Sequence, residues 1–108
     1  MKKILKFAPP LVPLVLSGKK NSTWRLWDDK NITEGDLFDF LDSNTKQKFA
    51  EARIIKIVEK PIGELTEDDK KGHESFRTDK EMYKTYTKYY GKEVTSNTPI
   101  KIIWFELL

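Results

Sequence analysis

The sequence contains no cysteine, so disulfides and thiolate metal sites are excluded. It contains a single histidine, His73. Any metal site would need carboxylates for all its other ligands, so neither a metal nor a cofactor is expected. Arginine is scarce, with three against 17 lysines. Long apolar runs are missing too. The longest near the amino terminus, residues 8–16, contains Pro9, Pro10 and Pro13. It is too short and too broken to cross a bilayer. The same prolines interrupt the secretory leader that Lys2, Lys3 and Lys6 faintly imitate. A cytoplasmic protein without membrane attachment is therefore expected, as a monomer.

The 108 residues suffice for one domain, 1–108, with one hydrophobic core. Hydrophobic residues make up 38%, enough to exclude wholesale disorder despite 34% charged residues. Charge is unevenly spread. Residues 1–27 hold six basic side chains and no acid, whereas the remainder holds 14 basic and 17 acidic. A positive first quarter on an otherwise balanced chain suits a localised anionic partner. A solvated lysine surface has the same composition.

The pattern predicts strands and helices in the order β-α-β-β-β-α-α-β. Ile4 to Phe7 reads as a short strand, stopped by Pro9-Pro10. Leu11 to Leu16 follows as a helix if Pro13 lies in its first turn, with Gly18 just past its end. Asn21 to Trp27 has strand chemistry. Residues 36–58 read as a hairpin around the polar cluster Asp42-Ser43-Asn44-Thr45. A helix begins near Leu65-Thr66-Glu67-Asp68-Asp69 and ends at Gly72. Thr78 and Glu81 have the spacing of a capping box for a second helix, which Gly91 stops. Tyr83, Tyr86 and Tyr90 line one face of it, as a packing stripe or as an aromatic platform for bases. Ile100 to Leu108 is apolar on both faces, the pattern of a central strand. Short hairpin-linked strands with a few helices point to a mixed α/β (α+β) fold, a small β-barrel with flanking helices.

The segment Ser17-Gly18-Lys19-Lys20-Asn21-Ser22-Thr23-Trp24-Arg25 superficially resembles a phosphate loop. A Walker motif needs glycine where Pro13 stands and Ser or Thr where Lys20 stands, which excludes it. Strand periodicity reads better. Asn21, Thr23, Arg25 and Trp27 share one face, and Ser22, Trp24 and Leu26 the other. Thr23 offers a hydroxyl, Arg25 a planar fork of donors, and Lys20 an ammonium at the strand's start. Such a face suits a base-sized ligand, although Thr and Arg are also ordinary on a solvated strand.

The run Gly18-Lys19-Lys20-x-x-Thr23-x-Arg25 resembles the G-K/R-K-x-x-T-x-R signature of the ASCH family. Gly35-Asp36 before an apolar strand, Leu65-Thr66-Glu67-Asp68-Asp69, Gly72-His73-Glu74-Ser75, the Tyr-rich helix and the closing Ile/Trp/Phe strand are similar in order. The resemblance implies a PUA-like barrel that binds RNA or a nucleoside through Gly18, Lys19, Lys20, Thr23 and Arg25, to which strand periodicity adds Trp27 as a flat ring at the end of the same face. Some small members are amidohydrolases acting on acetylated cytidine. That precedent implies Lys20, Thr23 and Glu74 as a catalytic set. Glu74 stands one residue from the family spacing, with His73 at the ungapped position. In this scheme Lys20, if neutral, would take the proton of Thr23, and Glu74 would assist the departing amine. Paired with Glu74, Lys20 would instead stay charged and anchor a ligand. Three functions stand open: an RNA- or nucleotide-binding module, a nucleoside amidohydrolase, and a protein-interaction module using the same surface.

Overall fold

The computed structural model describes residues 2–27, 30–71, 73 and 76–108. β1 (Lys3–Phe7) leads through a single 3-10 turn, Pro9–Leu11, into α1 (Val12–Leu16). Pro13 lies in the first turn of α1, where its missing N–H costs nothing. β2 (Ser22–Leu26), β3 (Leu37–Asp42) and β4 (Lys48–Pro61) follow. A second 3-10 turn, Ile62–Glu64, precedes α2 (Glu67–Lys70), α3 (Asp79–Tyr90) and β5 (Pro99–Leu107). The element order is the one the sequence pattern predicts. The expected stop of α2 at Gly72 lies outside the described residues.

The five strands form one sheet in the order β1-β3-β4-β5-β2, curled into a half-barrel. Every pairing is antiparallel except β1 with β3, where Leu5 lies opposite Phe40. β4 is 14 residues long and carries a bulge between Ile54 and Lys56. An extra residue on one strand bends it and increases its twist, which helps the sheet curl. The bulge leaves Ile55 exposed between buried Ile54 and half-buried Ile57.

Two apolar clusters fill the interior. One gathers Leu5, Phe7, Phe38, Phe40, Ile54 and Phe105 beneath β1, β3 and β4, with Val15 of α1 against them. The other joins Trp24, Leu26, Ile100 and Ile102 to Met82 and Tyr86 of α3 and to Ile62. β5 contributes to both, which explains its apolar residues on both faces.

The helix ends follow their local chemistry. Thr66 caps α2, its hydroxyl accepting the Asp69 amide at 3.2 Å while Asp69 accepts the Thr66 amide at 2.9 Å. This reciprocal box was expected at α3. There the Thr78 hydroxyl accepts the Glu81 amide at 3.1 Å, but among the described residues the return bond is not made, since the Glu81 side chain stays in solvent. α3 ends at Gly91, which takes the left-handed conformation at φ 69°.

Candidate ligand cleft

β2 is an edge strand whose one strand neighbour is β5, with Thr23 opposite Ile103 and Arg25 opposite Lys101. Its alternation is the one read from the sequence. Ser22, Trp24 and Leu26 are buried, while Thr23 and Arg25 are half-buried. Gly18 at φ 82° turns the chain out of α1. The Lys20 amide then donates to the Leu14 carbonyl at 3.0 Å, tying the start of β2 to that helix. This tether draws the Lys20 side chain inward. It is only 2% exposed, and its Nζ donates to the Ser22 carbonyl at 2.7 Å. A buried ammonium must be held by acceptors, because desolvation otherwise works against its charge.

Lys20, Thr23 and Arg25 converge on one cleft of about 110 Å³. Lys6, Phe7, Ala8 and Leu11 form its wall from the β1–α1 corner. Tyr86, Tyr89 and Tyr90 form the wall from α3, with His73 beside them. α3 is held against β2 by Tyr90, whose hydroxyl accepts the Leu26 amide at 3.2 Å. The cleft thus offers cationic donors and a hydroxyl on one side and flat rings on the other.

His73 stacks on Trp24 with ring centroids 3.8 Å apart and planes 10° from parallel. The Trp24 Nε1 is buried without a hydrogen-bond partner among the described residues. The stacked pair borders both the cleft and a larger cavity of about 350 Å³. Among the described residues Glu67, Lys70, Lys71, Phe76, Asp79 and Met82 also line that cavity, and Lys20, Thr23 and Arg25 do not. Beside it, Asp69 anchors α2 to β4 through Lys60, at 2.6 Å. Burial pushes the Asp69 carboxyl up, but the hydrogen bonds from Lys60 and Thr66 outweigh it and hold the group below the usual range.

Gly18, Lys19 and Trp27, also expected at the site, lie outside the cleft. Gly18 and Lys19 are exposed and do not line the cleft. Trp27 follows the last residue of β2, and its φ of 50° takes it out of the strand's alternation. It lines an adjoining groove with Arg25 and Lys101 instead of the cleft. Glu74 lies outside the described residues.

Sequence reasoning did not foresee that Lys6, His73 and Tyr89 would line the cleft. Lys6 carried a signal, as part of the acid-free first quarter. Tyr89 sits next to the stripe of Tyr86 and Tyr90 but points mostly to solvent, with 69% of its surface exposed. The stripe both packs and presents rings: Tyr86 belongs to the core cluster and also lines the cleft.

Comparison with solved structures places the architecture. The curled sheet and flanking helices are those of the PUA-like class. Within it the chain has the fold of ASCH domains. The ASCH domain from Lactobacillus crispatus JV V101 superposes with a TM-score of 0.74 at 12% identity, over 97% of this chain and 79% of that one. A DUF984 protein from Enterococcus faecalis V583 superposes at 0.84 and 18% identity, over 100% and 80% of the two chains. A protein from Pyrococcus furiosus gives 0.70 at 20% identity, over 100% and 98%. No protein-family model and no curated protein matches the sequence.

Proposed function

We propose that the chain is an ASCH-family binding module whose cleft takes a nucleobase of RNA or of a free nucleotide. The observation that supports this is the convergence of Lys20, Thr23 and Arg25 on a cleft walled by Tyr86, Tyr89 and Tyr90. Rings can stack on a base, the hydroxyl and guanidinium can read its edge, and the lysines suit a phosphate. The cleft is far smaller than the ~300–1,000 Å³ of pockets that enclose a whole drug-sized ligand. One flat ring therefore enters, and the sugar and phosphate stay at the rim. Short RNA titrated at two salt concentrations tests the reading. Binding is expected to weaken with salt, as phosphate contacts require, and to fall on Arg25→Ala. Affinity that is absent, or indifferent to Arg25→Ala, overturns it.

A second reading is a nucleoside amidohydrolase, favoured by the burial of the Lys20 ammonium in the same cleft as Thr23. A buried lysine is the kind that can serve as a base toward a neighbouring hydroxyl. Incubation with acetylcytidine, with release of cytidine as the readout, tests it. Turnover is expected to vanish in Lys20→Ala and Thr23→Ala, and absence of turnover in the unaltered protein rejects it.

A further inference from the structure

Arg25 lines three recesses, which adjoin at its side chain. One is the cleft itself. The second runs past Trp27 to Lys101. The third is bounded by Ile4, Lys6 and Lys30. Among the described residues the charged lining of the three is mostly basic, with Glu59 the one acid, paired to Lys101 at 3.5 Å. Lys6 is exposed and forms no ion pair with a described acid.

Aromatic surface extends outward from this junction. Tyr89 lines the cleft yet is 69% exposed, so most of its ring faces water. Its centroid lies 6.3 Å from that of Tyr90, which meets Trp27 at 5.5 Å and near a right angle. Trp27 is 42% exposed, and the Lys92 Nζ lies 5.0 Å from its ring centroid. Exposed rings beside lysines suit a partner that carries negative charge and flat apolar faces together, and a polynucleotide strand does.

We infer that the cleft's ligand is a single-stranded oligonucleotide of at least two nucleotides rather than a lone nucleoside. One base enters between Thr23 and Tyr86, its phosphate lies over Arg25 and Lys6, and the neighbouring base stacks on Tyr89. This rests on the nucleobase reading of the cleft. It adds a second binding position that the signature segment does not contain.

The test uses the full chain and four homopolymer series of ribonucleotides, each from the mononucleotide to the tetranucleotide, titrated by calorimetry. In at least one series the dinucleotide is expected to bind at least about ten-fold tighter than the mononucleotide, the usual effect of one stacked base. Tyr89→Ala is expected to remove that gain while weakening the mononucleotide several-fold less than the dinucleotide, since Tyr89 lines the cleft only with the edge of a largely exposed ring, and Tyr89→Phe retains both affinities. Lys6→Gln is expected to weaken the dinucleotide and reduce its salt dependence. Circular dichroism verifies that each variant is folded, as an exposed position allows. If the mononucleotide binds and the dinucleotide binds no tighter, the second position is wrong and the cleft reading survives. If Tyr89→Ala weakens both ligands alike, Tyr89 belongs to the cleft and the platform is rejected. If nothing binds in any series, the nucleobase reading falls and the platform with it.

Discussion

Trp24 and His73 lie face to face, with centroids 3.8 Å apart, so a residue of β2 is roofed by one from the segment between α2 and α3. Such a pair is worth about 1 kcal/mol beyond simple burial. His73→Ala should therefore lower unfolding free energy by about 1 kcal/mol, measured by urea denaturation. Trp24→Ala, which empties a core position that is 4% exposed, should cost about 3–5 kcal/mol. Equal losses for the two would show that the stack, not the indole's burial, dominates.

Lys20 joins structure to the cleft. Lys20→Met keeps the length of the stem but removes the donor to the Ser22 carbonyl. A buried carbonyl left without its partner costs about 1–3 kcal/mol. The variant should be destabilised by that amount in chemical denaturation and should also lose affinity for the cleft's ligand. Unchanged stability would mean that water replaces the ammonium.

Gly63 sits where two segments touch. A Cβ added there would lie 2.7 Å from Ser96 Cβ and 2.9 Å from the Ser96 carbonyl oxygen. The Gly63 amide also donates to that carbonyl at 2.9 Å, so the approach cannot widen without losing the bond. Gly63→Ala should cost about 1–3 kcal/mol, the usual range for overpacking. Thermal unfolding of Gly63→Ala alone and combined with Ser96→Gly gives the check. Some recovery is expected from the double variant, because the Cβ contact is gone while the carbonyl contact remains.

Acid should unfold the protein in a defined window. Hydrogen bonds from Lys3 and the Thr33 backbone hold the Asp36 carboxyl below the usual range. Lys48 and Lys2 hold Glu51 at about 2, although its exposure lets solvent and salt weaken the effect. Asp69 is lowered by Lys60 and Thr66 against its burial. Each carboxyl is lower in the folded state, so its contribution is complete above the ordinary value of about 4. It is lost as pH falls through the folded value. Urea midpoints should be flat from pH 7 to 5 and fall between about pH 4 and 2. Asp69→Asn should be less stable at pH 6 and lose less in that acid window. Thr66→Ala should cost about 1 kcal/mol at neutral pH through the lost cap.

Much of the fold was legible because its signals are local. Pro9, Pro10 and Pro13 place the first helix, Thr66, Thr78 and Gly91 mark helix ends, and the alternation from Ser22 to Leu26 separates a buried from a half-buried face. Lys20, Thr23 and Arg25 could be grouped since six residues of one segment span them. The expectation that Trp27 lines the cleft failed for a local reason as well. Trp27 shares a groove with Arg25 but stands past the end of the strand at a positive φ, which tryptophan gives no sign of.

The sequence by itself determined the order of the elements, their caps, and which side of β2 is polar. Each of these depends on residues within a turn or two of one another, where steric and hydrogen-bonding preferences act directly. Only the tertiary structure decided that β1 lies parallel beside β3, that β2 closes the sheet's edge on β5, and that Tyr89 and His73 meet Lys6 and Thr23 across the cleft. Those meetings join residues up to 83 positions apart, Lys6 to Tyr89. They are set by how two apolar clusters share one curled sheet, a property of the whole packed chain rather than of any segment.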